Sequence, residues 1–259
     1  MGQFNWPVEL GSRVENYRAL VGLGRKLGDR ASEKYAEMPR VGQCVLQLYS
    51  KMVGTAEGVL LLVDHGLIEQ ALALHRVLFE GTVNLNHAAA TGLDEAMGRY
   101  DDWLTLQYIK GHESKDFYRG TARHNAKHEA LLLAKKAEIQ ARYGEKEVRR
   151  MLRHGPFVGD IASRAERIGW KQRYEGTFRT VSRNVHVADF VDLPGVVKGW
   201  ELQAFEGMLR ARCALLVNEG QEFLITPTKL LNLDLETGLS REIKEVETKI
   251  LGFGKETQP

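Results

Sequence analysis

Between Phe178 and Phe190 the chain reads FRTVSRNVHVADF, which brings Arg179, Ser182, Arg183, Asn184 and His186 close together between apolar residues. On a helix, Arg179 and His186 are seven positions apart, so they point to nearly the same side, roughly 10 Å apart along the axis. Arg183 lies between them on that side, and Ser182 stands one turn before His186. A histidine with a pKa near neutrality can take or deliver a proton. An arginine can hold a phosphodiester and stabilise charge developing on its oxygens. RNA carries its own nucleophile, the 2′-hydroxyl, so cleavage by internal transesterification needs no metal. His186 as general acid/base, Arg179 or Arg183 as phosphate binder, and Ser182 or Asn184 as polar helper make a sufficient set. The plainer alternative is that the arginines are surface or ion-paired residues and His186 caps a helix C-terminus, where the dipole favours imidazolium.

A second group lies in LHRVLFEGTVNLNHAAA. Arg76, Glu80, Asn84 and His87 follow at steps of four, four and three, so they share one helix face. Leu72, Val77, Leu78, Phe79, Val83 and Leu85 surround them. A helix this apolar is expected to be buried, with the stripe buried alongside. Arg76 and Glu80 then read as a buried pair that fixes helix register, or the stripe lines a pocket closed by another polar helix. Glu57 and Asp64 share a face of the preceding helix and, with Glu80 and His87, offer a carboxylate-rich metal site between helices. The Glu-x-x-His signature is missing, because position 84 is Asn. His124 and His128, one turn apart and followed by Glu129, have zinc-like spacing without an identifiable third ligand. The expectation is therefore no metal and no cofactor. No phosphate-binding glycine loop, dinucleotide fingerprint, nucleophile elbow or paired-cysteine zinc pattern occurs.

The elements that carry these residues read as helices almost throughout. Apolar residues make up 43% of the 259 positions and charged residues 27%, ordinary for a globular chain, and only 6 prolines interrupt it. The expected fold is all-α: a helical bundle with additional peripheral helices, forming one domain over residues 1–259. Its core spans about 40–225, with an N-terminal helix at about 12–37 and C-terminal helices at about 226–251 as elaborations. Ser12 followed by Glu15 has a capping-box pattern, and Pro39 ends the first helix. Two strongly apolar helices, joined near Gly66 and ending near Gly92, fold back on each other at the centre. Pro194 and Gly195 mark a loop, and Pro227 opens a shorter helix.

Charge and targeting signals narrow the partners. The net charge of +2 conceals a basic block from Lys110 to Arg179, with 17 Lys/Arg against 9 Asp/Glu, and His112, His124, His128 and His154 within it. Such a block suits a polyanion such as RNA, or is a solvated helix face. Cys44 and Cys213 sit in apolar contexts and read as buried free thiols of a reducing compartment. The N-terminus lacks the features of a signal or transit peptide, and Trp6 stands where a myristoylation signal needs Ser or Thr. The apolar run at 58–74 is broken by Asp64, His65 and Glu69, too early for a membrane span. A cytoplasmic protein without a membrane partner is expected.

The stretch Arg179-Thr-Val-Ser-Arg-Asn-Val-His186 resembles the mark of the HEPN superfamily, an arginine followed after four to six residues by a histidine at the end of a late helix. More narrowly, LHRVLFEGTVNL followed downstream by FRTVSRNVH is similar to an uncharacterised bacterial family, in which an R-x-L-x-E-type helix precedes a late S-x-x-V-H-type motif. That likeness covers about Val45 to His186. Thr180 stands where the superfamily usually has a polar Asn, Asp or His, a pairing found instead at Arg183-Asn184. The resemblance implies an all-α endoribonuclease acting as a homodimer, with the motifs of two subunits forming one composite site. Many such proteins are toxins or phage-defence effectors. By the same resemblance Arg179 contacts phosphate and His186 transfers the proton. Two other functions stay open: a non-catalytic helical module that binds a regulatory protein partner, and a metallo-hydrolase built on Glu57, Glu80 and His87.

Overall fold

The computed structural model describes residues 10–113, 126–179, 200–235 and 238–252. Its helices, in chain order, are α1 (Gly11–Glu33), α2 (Arg40–Asp64), α3 (Ile68–Thr91), α4 (Leu93–Glu113), α5 (Ala126–Tyr143), α6 (Glu145–His154), α7 (Ile161–Arg167), α8 (Trp200–Leu235) and α9 (Ser240–Gly252). A helical turn at Lys171–Arg173 runs directly into a π-helical segment, Tyr174–Phe178. Among the described residues there is no strand, and the fold is all-α, as the periodicity requires. No helix among them is long and apolar enough to cross a membrane. Contacts divide the chain into two compact units, residues 1–87 with 161–259, and residues 88–160.

In the first unit, α1 buries Val14, Tyr17, Leu20, Val21, Leu27 and Ala31 at helical spacing. It packs against α2, α8 and α9. The N-terminal helix is thus part of the core, not an elaboration upon it. Its start also differs from expectation: Leu10 is the N-cap and makes no side-chain cap bond. Glu15, instead of completing a capping box at Ser12, pairs with Arg18 at 2.5 Å.

Close approach of the helices is set by glycines. A β-carbon at Gly220 on α8 would lie 2.6 Å from the Tyr17 ring, which is fully buried. Gly220→Ala is therefore an overpacking substitution, expected to cost about 1–3 kcal/mol and to lower the melting temperature in calorimetry. Gly220→Ala protein that melts with the wild type would show that α1 and α8 are not this close.

The α2–α3 connection is a Schellman turn. Gly66 adopts φ 74°, its N–H donates to the Val63 carbonyl, and Leu67 N–H donates to the Leu62 carbonyl. α2 and α3 then lie antiparallel, because Gly58 faces Leu74 while Gly81 faces Met52. The expected central hairpin is present.

α8 departs from expectation at Pro227, which lies inside the helix and does not open a new one. Proline has no N–H, so the carbonyl four residues earlier, that of Phe223, loses its helical donor. The Thr82 hydroxyl on α3 supplies a replacement at 2.8 Å. One residue on, Thr228 donates to the Leu224 carbonyl at 2.7 Å and accepts from the Tyr49 hydroxyl at 2.8 Å. Burial pushes the Tyr49 hydroxyl up to about 12.

The second unit has its own small core, Leu106, Ile139, Val148 and Met151, with Trp103, Tyr143 and Leu152 packed against it. Buried Asp102 on α4 accepts from Arg142 at 2.6 Å and from the Tyr143 hydroxyl at 3.0 Å. Arg99 donates to the Pro156 carbonyl at 3.1 Å and pairs with Glu147. Much of the basic block is neutralised at short range. Lys135 pairs with Glu138, Lys136 with Glu113, Arg149 with Glu145 and Arg150 with Glu147. Cys44 and Cys213 are buried in the first unit and not joined in a disulfide, and burial pushes the Cys213 thiol up to about 11.

Candidate functional site

The candidate site is assembled on α3 in the first unit, around Phe79. The Phe79 ring lies 5.2 Å from that of Phe223 on α8, edge to face, 5.3 Å from Phe178 and 6.0 Å from Trp170. Such pairs add specific geometry to the large apolar area they bury. Next to them His75 is buried, its ring 5.1 Å from Phe223 and its Nε2 3.2 Å from a Glu219 carboxylate oxygen.

Two local devices aim the aromatic residues. Gly169, at φ 77°, ends α7 in a second Schellman turn, with Trp170 N–H donating to the Ala165 carbonyl at 2.7 Å. This turn directs Trp170 onto Phe79 and Phe223 (ring distance 5.5 Å for the latter). Arg173 then stacks over Trp170 at 5.2 Å and pairs with Glu222 on α8. After that tie the helix widens into the π-helical segment, in which Tyr174 and Phe178 stack at 5.1 Å. π-helical turns of this kind occur often at functional sites.

Arg179 follows immediately. It is exposed and donates to Glu175, one turn back, at 2.6 Å. The hydrogen bond it donates to Glu175 and the charge of that carboxylate raise the Arg179 pKa, so the guanidinium stays ionised. Arg76 lies beside this start of the motif, its Cζ 4.8 Å from the centroid of the Phe178 ring. The structure therefore brings Arg76 on α3 next to the segment that carries Arg179. Ser182, Arg183, Asn184 and His186 lie outside the described residues.

The stripe on α3 is placed differently from expectation. Arg76 donates to Glu80 at 3.2 Å, but their side chains keep 27% and 40% of their exposure, so the pair is not buried. The cause is visible on the same helix. His75, Leu78, Phe79, Thr82 and Val83 take the buried face, while Val77 keeps 53% of its exposure. The stripe runs along the border of the buried face, where an ion pair stabilises little. Asn84 is half-buried, and its Oδ1 has no hydrogen-bond partner among the described residues.

His87, the last stripe residue, is buried. Burial and the charges of Arg167 and Arg164 on α7 lower its pKa, so it is neutral at pH 7. Because the unfolded chain binds this proton more readily, stability rises with pH and is lost as pH falls below about 6.5, the unfolded value. His87→Gln, which cannot titrate, is expected to flatten the fall of the melting temperature between pH 7 and pH 5. An unchanged slope would mean that His87 is not the group being protonated.

The carboxylates considered for a metal are not brought together. Asp64 accepts from Arg18 at 2.7 and 2.8 Å, Glu57 pairs with Arg25, and Glu80 takes Arg76. Both α2 acids are turned toward α1, a partner that spacing within α2 and α3 gave no means to foresee. Among the described residues, no group of three or more His, Cys, Asp or Glu side chains could hold a metal ion. The metallo-hydrolase alternative thus lacks its ligand set. The residues that sequence reasoning missed are His75, Trp170 and Arg173. For Trp170 a signal exists, the helix-ending glycine directly before it in RIGWKQR.

Comparison with known proteins places the chain by family. The family described as "Family of unknown function (DUF5677)" matches residues 43–191, from α2 through the motif stretch. No curated protein matches the chain and no solved structure matches it. The matched span holds Arg76, Glu80, Arg179 and His186 together and covers more than half of the sequence; the chain belongs to the DUF5677 family.

Proposed function

We propose that the chain is a HEPN-like, metal-independent endoribonuclease, with His186 as general acid/base and Arg179 or Arg183 as the phosphate-binding group. The carrying observation is the placement of Arg179. It is exposed, ionised and held at the start of the motif by the stack of Phe178 on Phe79 and Arg76. Glu175 occupies its guanidinium through a solvent-exposed bond, which a phosphodiester can replace with another charge-assisted bond at small cost. Arg76, whose guanidinium lies over the Phe178 ring, offers a second basic group near the motif's start, through a surface pair with Glu80 that a polyanion can likewise compete for. The homodimer with a composite site, and a role as toxin or phage-defence effector, follow from the resemblance and belong to the same proposal.

The test is cleavage of RNA in the presence of a chelator. The expected products end in a 2′,3′-cyclic phosphate, and a substrate with deoxyribose at the scissile position is not cut. Cleavage that stops on chelation, or that proceeds without the 2′-hydroxyl, overturns the mechanism.

A second reading, a non-catalytic module docking a regulatory protein, is favoured by one feature. The ion pairs of α5 and α6 absorb much of the positive charge that an RNA track would use. In that case no RNA is cut, and removing His186 affects stability alone.

A further inference from the structure

Apart from the motif, the chain carries a group of histidines in the basic block of the second unit. On sequence spacing His128 has His124 one turn before it, and His124 lies outside the described residues. The structure supplies a different neighbour. His112, in the last turn of α4, has its ring centroid 5.4 Å from that of His128, in the first turn of α5. The Tyr108 hydroxyl stands 3.3 Å from His128 Nε2, and the Tyr108 ring lies 6.1 Å from His112. α4 and α5 are held side by side below this group by Arg142 on Asp102 and by the packing of Leu106 with Ile139.

We propose that His112 and His128 bind one divalent transition-metal ion of the zinc class, clamping the facing ends of α4 and α5. The spacing fits this chemistry. Two imidazoles on one tetrahedral ion, with metal–nitrogen bonds of about 2.0–2.1 Å, place their ring centroids about 5 Å apart. Imidazole is a preferred ligand for zinc, copper and nickel, and water fills the remaining positions of a half-exposed site. Tyr108 plays the part of an outer partner. By engaging Nε2 of His128 it fixes the ring's orientation and leaves Nδ1 for the ion.

The site also has a mechanical consequence. α4 ends at Glu113 and α5 begins at Ala126, so an ion bridging His112 and His128 ties the two stems of that connection.

Titration calorimetry of the tag-free, full-length chain with zinc chloride is the test. One equivalent binds, and His112→Ala and His128→Ala each weaken binding roughly tenfold or more. His154→Ala, exposed elsewhere in the same unit, leaves the affinity unchanged. Zinc raises the melting temperature of the wild type, EDTA reverses the rise, and neither His112→Ala nor His128→Ala shows it. Both variants melt with the wild type in EDTA, so lost binding is not lost folding. Tyr108→Phe weakens binding less than either histidine variant. Absence of stoichiometric binding overturns the site, and so does binding that both histidine variants retain in full.

Discussion

Thr82→Val is expected to destabilise the protein by about 1–3 kcal/mol, the cost of leaving one buried carbonyl without a donor. Valine matches threonine in shape, so little of the loss comes from packing. The lost group is the hydroxyl, which lies 2.8 Å from the Phe223 carbonyl and 2.9 Å from that of Leu78. Leu78 is an ordinary helical carbonyl, but Phe223 has been deprived of its donor by Pro227 four residues later. Thr82, Phe223 and Thr228 are all fully buried, so water does not readily replace the missing bond.

A double-mutant cycle isolates this effect. Pro227→Ala restores an N–H at position 227, which can donate to Phe223. In that background Thr82→Val is expected to cost much less, with a coupling of roughly 0.5–3 kcal/mol. Urea unfolding of the four proteins gives the answer. Additive losses would show that Thr82 and Pro227 do not serve the same carbonyl.

This pair also marks the boundary of what the sequence could reveal. The helices themselves were legible, because apolar residues recur at 3.6-residue spacing from α1 to α9 and Gly66 stands at a helix end. Pro227 was misread as a helix start, because the donor that lets α8 continue lies 145 positions earlier on α3. Local rules for proline assume no such donor. α1 was assigned to the periphery by its place in the chain, although its buried stripe from Val14 to Ala31 is as regular as that of α2. The α3 stripe was judged buried because its neighbours are apolar. Val77 is one of those neighbours and faces solvent, so the polar stripe lies at the edge of the core.

The candidate site was legible in its residue types and less so in its support. Arg179 and Arg76 were singled out by identity and spacing, but nothing in the sequence indicated that Phe178 would join them. That link depends on the π-helical turn, which shifts Phe178 and Arg179 relative to a regular helix. It also depends on Trp170 and Arg173 tying the segment to α8. Glu57 and Asp64 showed the converse failure. Their spacing on α2 was correctly seen, but their partners are arginines of α1 at a sequence distance that no pattern within α2 can report.

The largest expected effect belongs to His186. General acid–base catalysis by a positioned side chain contributes about 10²–10⁴-fold. His186→Ala is therefore expected to lose that much cleavage activity. Arg179→Ala loses activity through its phosphate contact, and Arg179→Lys recovers only part of it, since lysine keeps the charge without the planar fork. Neither arginine change should disturb folding much, because Arg179 is exposed and its bond to Glu175 is a surface bond. The His186 variant must melt near the wild-type temperature for the loss to be read as catalytic.

The most direct single measurement is the rate at which His186→Ala protein cleaves RNA in chelator, beside wild type purified in the same way. A fall of at least a hundredfold with an unchanged melting temperature is the expected result. Cleavage by the variant at the wild-type rate would contradict the assignment of His186 and, with it, the proposed ribonuclease mechanism.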